Sequence, residues 1–295
     1  MSHFLLKAKI FKGNLGKTFE TFIRILFFST WRNALKSLTK TNGTCVILGN
    51  GPSLTDSLER YKNQLAVHDM VAVNSFACTD FFTEIEPRFY IMNAKVLFWP
   101  DERISQFYID LRNDIFSSMK NKISWDMYLM VPFQAKKSKE FQGLLQSNPL
   151  IHPLYFNQNA AEGFKFFKHF LFRRKLGMPR PHNVLIPSII NMINLGYKEI
   201  YLIGADHSWL AEISVNENNE AFVHQKHFYD ENTSKPTKME DRGVRPRRLH
   251  EILDKFYLTF KGYWEIAEYA EKSRVKIYNA SEVSMIDAFE RRKLD

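Results

Sequence analysis

Short apolar runs alternate along this chain with amphipathic stretches, a pattern that predicts strands and helices in turn. Thr44-Cys45-Val46-Ile47-Leu48 is apolar and breaks into Gly49-Asn50-Gly51-Pro52-Ser53-Leu54. Val46–Leu48 reads as a first strand, and Ser53 to Leu65 as the helix after it, with Pro52 at its first turn. Met70–Val73, Phe89–Met92 and Met127–Val131 read as the next strands, the first two ending at Asn74 and Asn93. Asn157 to Arg180 mixes Phe164, Phe166, Phe167, Phe170 and Phe172 with basic residues and reads as a helix stopped by Pro179 and Pro181. Asn183 to Leu195 is an apolar helix ended by Gly196. Glu199–Ile203 is a further strand, His250 to Lys272 a long amphipathic helix, Val275–Tyr278 a last strand and Ile286–Arg292 a last short helix. Residues 210–248 are polar and lack apolar periodicity, which marks a long loop or lid. Alternating strands and helices predict an α/β fold. Its sheet is mostly parallel, with helices on both faces and a lid-like insertion.

Composition adds bounds. The chain has 295 residues, 45% hydrophobic and 25% charged, as in ordinary globular proteins. Thr41-Asn42-Gly43-Thr44 is a turn signal that separates a segment of residues 1–40 from a catalytic domain of residues 41–295. Both cysteines, Cys45 and Cys78, lie in apolar runs and read as buried thiols, without metal spacing or a disulfide framework. That fits a reducing compartment.

The net charge of +9 is unevenly placed. Residues 1–40 hold eight Lys and Arg against one acid, Glu20, and so carry seven of those charges. The nearly balanced remainder disfavours nucleic-acid binding, which needs a basic face on the body of the protein. The basic segment also holds Phe4, Phe11, Phe19, Phe22, Phe27, Phe28 and Trp31. Such a mixture at helical spacing predicts either a helix in a membrane interface or one packed on the protein's own core. Arg24 cuts the apolar run, so no span is expected, and no small-residue cleavage site follows it. The membrane reading would place the protein in the cytoplasm, attached peripherally to the inner membrane.

The chemistry gathers at strand ends. In an open α/β sheet, ligands bind outside the carboxyl ends of the strands. Gly49-Asn50-Gly51-Pro52-Ser53 would let the backbone approach a phosphate at a helix N-terminus. It lacks the Lys-Ser/Thr of a P-loop and the third Gly of the dinucleotide fingerprint. Asn50, Asn74 and Asn93 each offer an amide donor and acceptor to a base or sugar. Gly204-Ala205-Asp206-His207 ends a second apolar strand, and there Asp206 could hold a ribose, orient a histidine or cap the next helix. His224-Gln225-Lys226-His227-Phe228-Tyr229 brings histidines suited to proton abstraction and a tyrosine suited to a leaving phosphate. His224 and His227 are a weak metal pair without further ligands. Arg242, Arg245, Arg247 and Arg248 could clamp phosphate. No Asp-x-Asp occurs, so a leaving phosphate would rely on hydroxyls, amides, Arg and a helix dipole, with no metal and no cofactor.

Gly49-Asn50-Gly51-Pro52-Ser53-Leu54, with Gly196-Tyr197-Lys198-Glu199-Ile200-Tyr201-Leu202 and Gly204-x-Asp206, resembles the bacterial lipooligosaccharide sialyltransferases of glycosyltransferase family 42. The same blocks resemble the hydroxymethylpterin-pyrophosphokinase-like group, which includes the flagellin motility accessory factors. The resemblance covers roughly residues 43–110 and 180–292. It implies a Rossmann-like α/β fold, a CMP-activated nonulosonic acid donor, metal-independent transfer with inversion, and a histidine base. It implies nucleotide binding by Gly49, Asn50, Gly51, Ser53, Asn74, Asn93 and Gly204, with Asn183 where the family has Thr-Ser-Gly. Asp206, His207, His227 and Tyr229 are then the catalytic candidates, with His227 placed as the base. The family's Tyr after Gly-x-Asp is replaced here by Ser208-Trp209. The expected function is a glycosyltransferase of surface polysaccharide synthesis acting on a glycan or lipid-linked acceptor. Homo-oligomerisation stays open. The alternatives are a pyrophosphokinase-like enzyme moving diphosphate from ATP to a pterin, and a non-catalytic membrane-associated binding protein.

Overall fold

The computed structural model describes residues 3–31, 43–224, 226–228, 235–241 and 245–294. It opens with a 26-residue helix, α1 (His3–Phe28). The first half of the sheet follows as β1 (Thr44–Leu48), α2 (Leu54–Arg60), α3 (Lys62–Leu65), β2 (Asp69–Val73), α4 (Phe81–Ile85) and β3 (Phe89–Ile91). It continues with α5 (Gln106–Lys122), β4 (Met127–Pro132), α6 (Lys139–Ser147) and β5 (Ile151–Phe156). The chain then crosses back through α7 (Lys165–Arg173) and α8 (Leu185–Leu195) to β6 (Glu199–Ile203). An insertion carries β7 (Ile213–Val215), β8 (Ala221–Val223), β9 (Glu240–Asp241) and β10 (Arg245–Pro246). The long helix α9 (Leu249–Ser273) leads to β11 (Lys276–Asn279) and β12 (Glu290–Arg291).

Eight strands form one parallel sheet in the order β12-β11-β6-β1-β2-β3-β4-β5. Strand alternation divides the core into two layers, because successive side chains point to opposite faces. Cys45 and Ile47 of β1 join the cluster formed with α7, α8 and α9. Val46 and Leu48 join the one formed with α2, α5 and α6. The α/β reading with helices on both faces therefore holds. The insertion contains two antiparallel hairpins, β7–β8 and β9–β10. It has a small core of its own, in which Ala221 and Val223 pack with Ile252 and Phe256 of α9.

Several sequence readings are corrected. The helix expected over Asn157 to Arg180 shortens to Lys165–Arg173. Before it, Asn157 and Asn159 spend their side chains on the end of α1, and Ala160 pairs with Met178. The helix from Ser53 to Leu65 breaks at Tyr61 into α2 and α3. Ile286–Arg292 is not a helix: Glu290 and Arg291 add an edge strand beside Tyr278 and Asn279. Cys45 is buried as expected, but Cys78 ends a tight 3-10 turn and is exposed. α1 packs on the protein through Thr18, Thr21 and Ile25 while most of its surface stays exposed. Residues 32–42, with the expected boundary turn at Thr41-Asn42, lie outside the described residues. Among the described residues no helix is long and apolar enough to cross a membrane.

Candidate functional site

The strand order reverses direction at β1. β2 to β5 extend the sheet on one side, while β6, β11 and β12 extend it on the other. Ligands bind at such a switch point, outside the carboxyl ends of the strands. Here the turns after β1 and β6 pack backbone to backbone. Gly49 N–H donates to Ile203 O (2.8 Å), and Gly51 N–H donates to Gly204 O (2.8 Å). A Cβ on Gly51 would lie 2.6 Å from that same Gly204 oxygen, and would also strike the Asp206 carboxylate. A Cβ on Gly204, whose φ is +61°, would lie 2.7 Å from the Leu54 side chain. Only glycine permits this approach.

A cleft of about 720 Å³ opens over these turns, a volume in the range of small-molecule sites. It brings together most of the residues expected from sequence: Gly49, Asn50, Gly51, Asn74, Asn93, Asn183, Gly204, Asp206, His207 and His227 all line it. Ser53 is the exception. It sits behind the wall, and its backbone N–H donates to Asp206 Oδ2 at 3.2 Å. Tyr229 and Arg242 lie outside the described residues. Arg245 pairs with Glu251 at 2.6 Å, while Arg247 reaches the cleft. His224 stands 3.6 Å from Glu212, outside the lining. Among the described residues no three His, Cys, Asp or Glu cluster as metal ligands.

The expectation that the turn amides would cradle a phosphate is corrected. The N–H groups of Gly49, Gly51 and Ser53 are already bonded within the protein. Asp206 thus accepts from the start of α2, an earlier helix and not the one that follows it in sequence. Burial raises its carboxyl above the ordinary value, with Ser53 pulling the other way.

The amides have specific partners. Asn50 Nδ2 donates to Val73 O (3.1 Å), while its Oδ1 is buried without a partner. Asn93 Nδ2 donates to Pro181 O (3.0 Å) and so ties the β3 end to the segment before α8. Asn74 adopts a left-handed conformation, and its carbonyl accepts from Tyr90. Asn183 Oδ1 accepts from Leu185 N–H (2.7 Å) and starts α8.

The two histidines differ in kind. His207 is buried, its Nε2 lies 2.5 Å from Tyr263 OH, and Tyr263 in turn donates to Asn183 Oδ1 at 3.3 Å. Its ring lies 4.3 Å from Trp209, and burial pushes its pKa down to about 3. His227 is half-buried in the cleft. The segment that carries it is pinned by Phe228. The Phe228 N–H donates to Asn50 O (3.2 Å), and its ring packs near Phe76 and Phe81.

Sequence reading missed five lining residues with chemistry: Lys95, Gln158, His182, Lys226 and Lys255. Gln158 is 8% exposed; its Nε2 donates to Asn93 O (2.6 Å) and to Asn93 Oδ1, leaving Oε1 buried without a partner. Its signal was an amide run, Asn157-Gln158-Asn159, directly after an apolar segment. Partial burial, with Lys255, Arg180 and Arg247 nearby, holds His182 down to about 4. Burial lowers Lys95 as well. Lys95, Lys226, Arg247 and Lys255 thus face a cleft whose described lining holds one carboxylate, Asp206. The arrangement suits a ligand with a hydrogen-bonding head and an anionic tail.

No family model matches the chain, and no curated protein does. Among solved structures it is similar to the MAf glycosyltransferase from Magnetospirillum magneticum AMB-1, with a TM-score of 0.49 and 13% sequence identity. The match covers 90% of this chain and 35% of that one, so the chain spans about a third of that protein's length.

Proposed function

We propose that this protein is a glycosyltransferase that uses a nucleotide-activated sugar, with a CMP-activated nonulosonic acid as its donor. The observation that carries the reading is the cleft at the switch point, lined by both amides and cations. Asn50, Asn74, Asn93, Asn183 and Gln158 line it with amides, and Lys95, Lys226, Arg247 and Lys255 with cations. Amides suit a base and ribose, since each presents both donor and acceptor. The buried oxygens of Asn50 and Gln158 lack a partner within the protein, and turned to the cleft they would accept from an exocyclic amine such as that of cytosine. The cations suit the phosphate and the sugar carboxylate of such a donor.

In the proposed reaction His227 takes the proton of an acceptor hydroxyl. The oxygen attacks the anomeric carbon, the bond from that carbon to the phosphate oxygen breaks, and CMP leaves with inversion. Lys226 and Arg247 offset the charge that grows on the departing phosphate. A base works best with a pKa near the operating pH. His207, held near 3 and engaged by Tyr263, is poorly suited to that role. It orients the wall instead. The acceptor is proposed to be a glycan or lipid-linked sugar.

The test is a thermal-shift panel of CMP, CDP, UDP, GDP and ATP, with and without Mg²⁺. A ligand at 100 times its dissociation constant adds about 2.7 kcal/mol of stability. A shift with CMP that ignores Mg²⁺ supports the proposal. A shift with UDP or GDP keeps a transferase and changes the donor. A shift confined to ATP with Mg²⁺ transfers the site to pyrophosphoryl chemistry and ends this reading.

A further inference from the structure

We infer that α1 and α7 together form one docking surface for an anionic lipid bilayer, latched to the wall of the cleft. α1 presents three faces. Thr18, Thr21 and Ile25 turn inward: Phe164 N–H and Glu162 N–H donate to the hydroxyls of Thr18 and Thr21 at 3.0 Å each, and Ile25 enters the core. Phe11, Leu15, Phe19, Phe22 and Leu26 recur at spacings of four and three, which places them on one outward stripe. Each is more than half exposed, as is Trp31 just beyond the helix. Lys9, Lys12 and Lys17 are exposed on α1, Lys12 bordering that stripe, Lys9 next round the helix and Lys17 on the far side, with Glu20 as the sole acid of the helix.

The stripe continues onto α7. The Phe11 ring lies 5.2 Å from Phe164, and Phe164 stacks on Phe166 at 5.8 Å. Phe166, Phe170 and Arg173 follow one another at i, i+4 and i+7, hence on one face of α7. Phe166 is 72% exposed and Phe170 45%. Arg173 and Arg174 are exposed at the end of the helix. By contrast Lys165 and Lys168 are drawn to Glu268 and Glu265 of α9.

Charge chooses the occupant. Aromatic side chains flanked by basic ones suit the headgroup region of an anionic leaflet, where each Lys or Arg adds about 1 kcal/mol. A second copy on the same face would bring like charges together. The surface is also tied to the cleft. Just past α1, Thr30 N–H donates to Asn157 Oδ1 (2.8 Å), and Asn157 Nδ2 donates back to Thr30 O (2.9 Å). Asn159 Nδ2 donates to Ser29 Oγ (2.9 Å). The residue between these two latches is Gln158, which lines the cleft. A bilayer on this surface would therefore lie beside the cleft, within reach of a lipid-linked acceptor.

The experiment is flotation of the full chain with phosphatidylcholine vesicles, with and without phosphatidylserine. Binding is expected only with phosphatidylserine and should weaken as salt rises. Lys9→Gln with Lys12→Gln should lower vesicle affinity about 30-fold, from two lost charges. Phe166→Ser with Phe170→Ser should lower it as well, with an unchanged melting temperature. Failure to float with anionic vesicles would overturn the inference, and so would flotation that ignores the Phe166/Phe170 pair. A dimer in sedimentation equilibrium that Phe19→Ser with Phe22→Ser turns into monomer would give the face to a second copy instead. None of these outcomes touches the nucleotide thermal shift, so the two proposals stand or fall separately.

Discussion

Acid should destabilise this protein through His207, and the size of the effect follows from its burial. His207 lies 6% exposed between Trp209 and Tyr263, with its pKa lowered from 6.5 to about 3 by desolvation. A histidine with a depressed folded pKa binds its proton more readily when unfolded. The stability it contributes is complete above pH 6.5 and is lost as the pH falls toward 3. Between pH 7 and pH 4.5 the loss works out at about 2.5 kcal/mol from this one group. His169 and His182, both held down to about 4, titrate in the same window. Wild type must therefore be compared with His207→Asn, in which those two remain. Asparagine tolerates the left-handed backbone at this position, where φ is +54°. At pH 7 the variant should be less stable by about 2 kcal/mol or more, from lost ring packing. Urea denaturation at pH 7 and pH 4.5 should show that gap move by about 2.5 kcal/mol toward the variant, enough to close or reverse a gap of about 2 kcal/mol. A gap that stays constant with pH would mean that His207 titrates alike in both states. The argument that excludes it as the base would then collapse.

Other expectations follow from single contacts. Gly51→Ala would drive a methyl into the Gly204 carbonyl and the Asp206 carboxylate; it should cost about 3 kcal/mol and abolish nucleotide-induced stabilisation, and a normal urea midpoint would refute the close approach. His227→Ala should lower transfer by about 10²-fold or more while leaving the nucleotide thermal shift intact; unchanged turnover would remove His227 as the base. Gly163→Ala combines a φ of +101° with a Cβ 2.6 Å from Thr18 N. It should loosen α1 and raise tryptic cleavage at Lys17 and Arg24 about tenfold, whereas unchanged cleavage would mean that α1 is not held through this loop.

The sheet was legible where strands are buried on both faces, because β1, β2, β4 and β6 read as unbroken apolar runs. Edges were not. β5 carries Pro153 in its middle, a residue that argues against a strand in sequence. In the structure it lies at the rim, paired only with β4, where a missing donor costs nothing on the open side. β12 is two residues long, too short to leave a period of its own, and lies within a stretch read as a helix. α5 had a signal in Tyr108, Leu111, Ile115 and Met119 at spacings of three and four, diluted by a low mean hydropathy. In the cleft, the glycines and strand-end asparagines could be found because strand-then-turn chemistry is local. Gln158 left only its amide run, and His182 and Lys255 left no signal, since they reach the cleft from segments far apart in sequence. Phe228 gave no signal at all: its role depends on Phe76 and Phe81, which lie about 150 residues earlier.

The way the two glycine turns meet determines where an anion can be recognised. Because Gly49 and Gly51 donate to the β6 strand end, and Ser53 donates to Asp206, these backbone amides are spent on the protein itself. In the proposed reaction phosphate would then be met by side chains, and the cationic ones that line the cleft arrive mostly from beyond β6: Lys226 from the insertion, Arg247 from its end and Lys255 from α9. Lys226 and His227 sit on one short segment, held to the β1 turn by the Phe228 amide on Asn50 O. In the proposed reaction the group that takes the acceptor proton and a cation that meets the leaving phosphate therefore share one segment, held by the Phe228 amide and ring and by the Lys226 pair with Glu212 (2.9 Å). A change that frees Phe228 should weaken nucleotide binding and turnover together, whereas one confined to His227 should separate them.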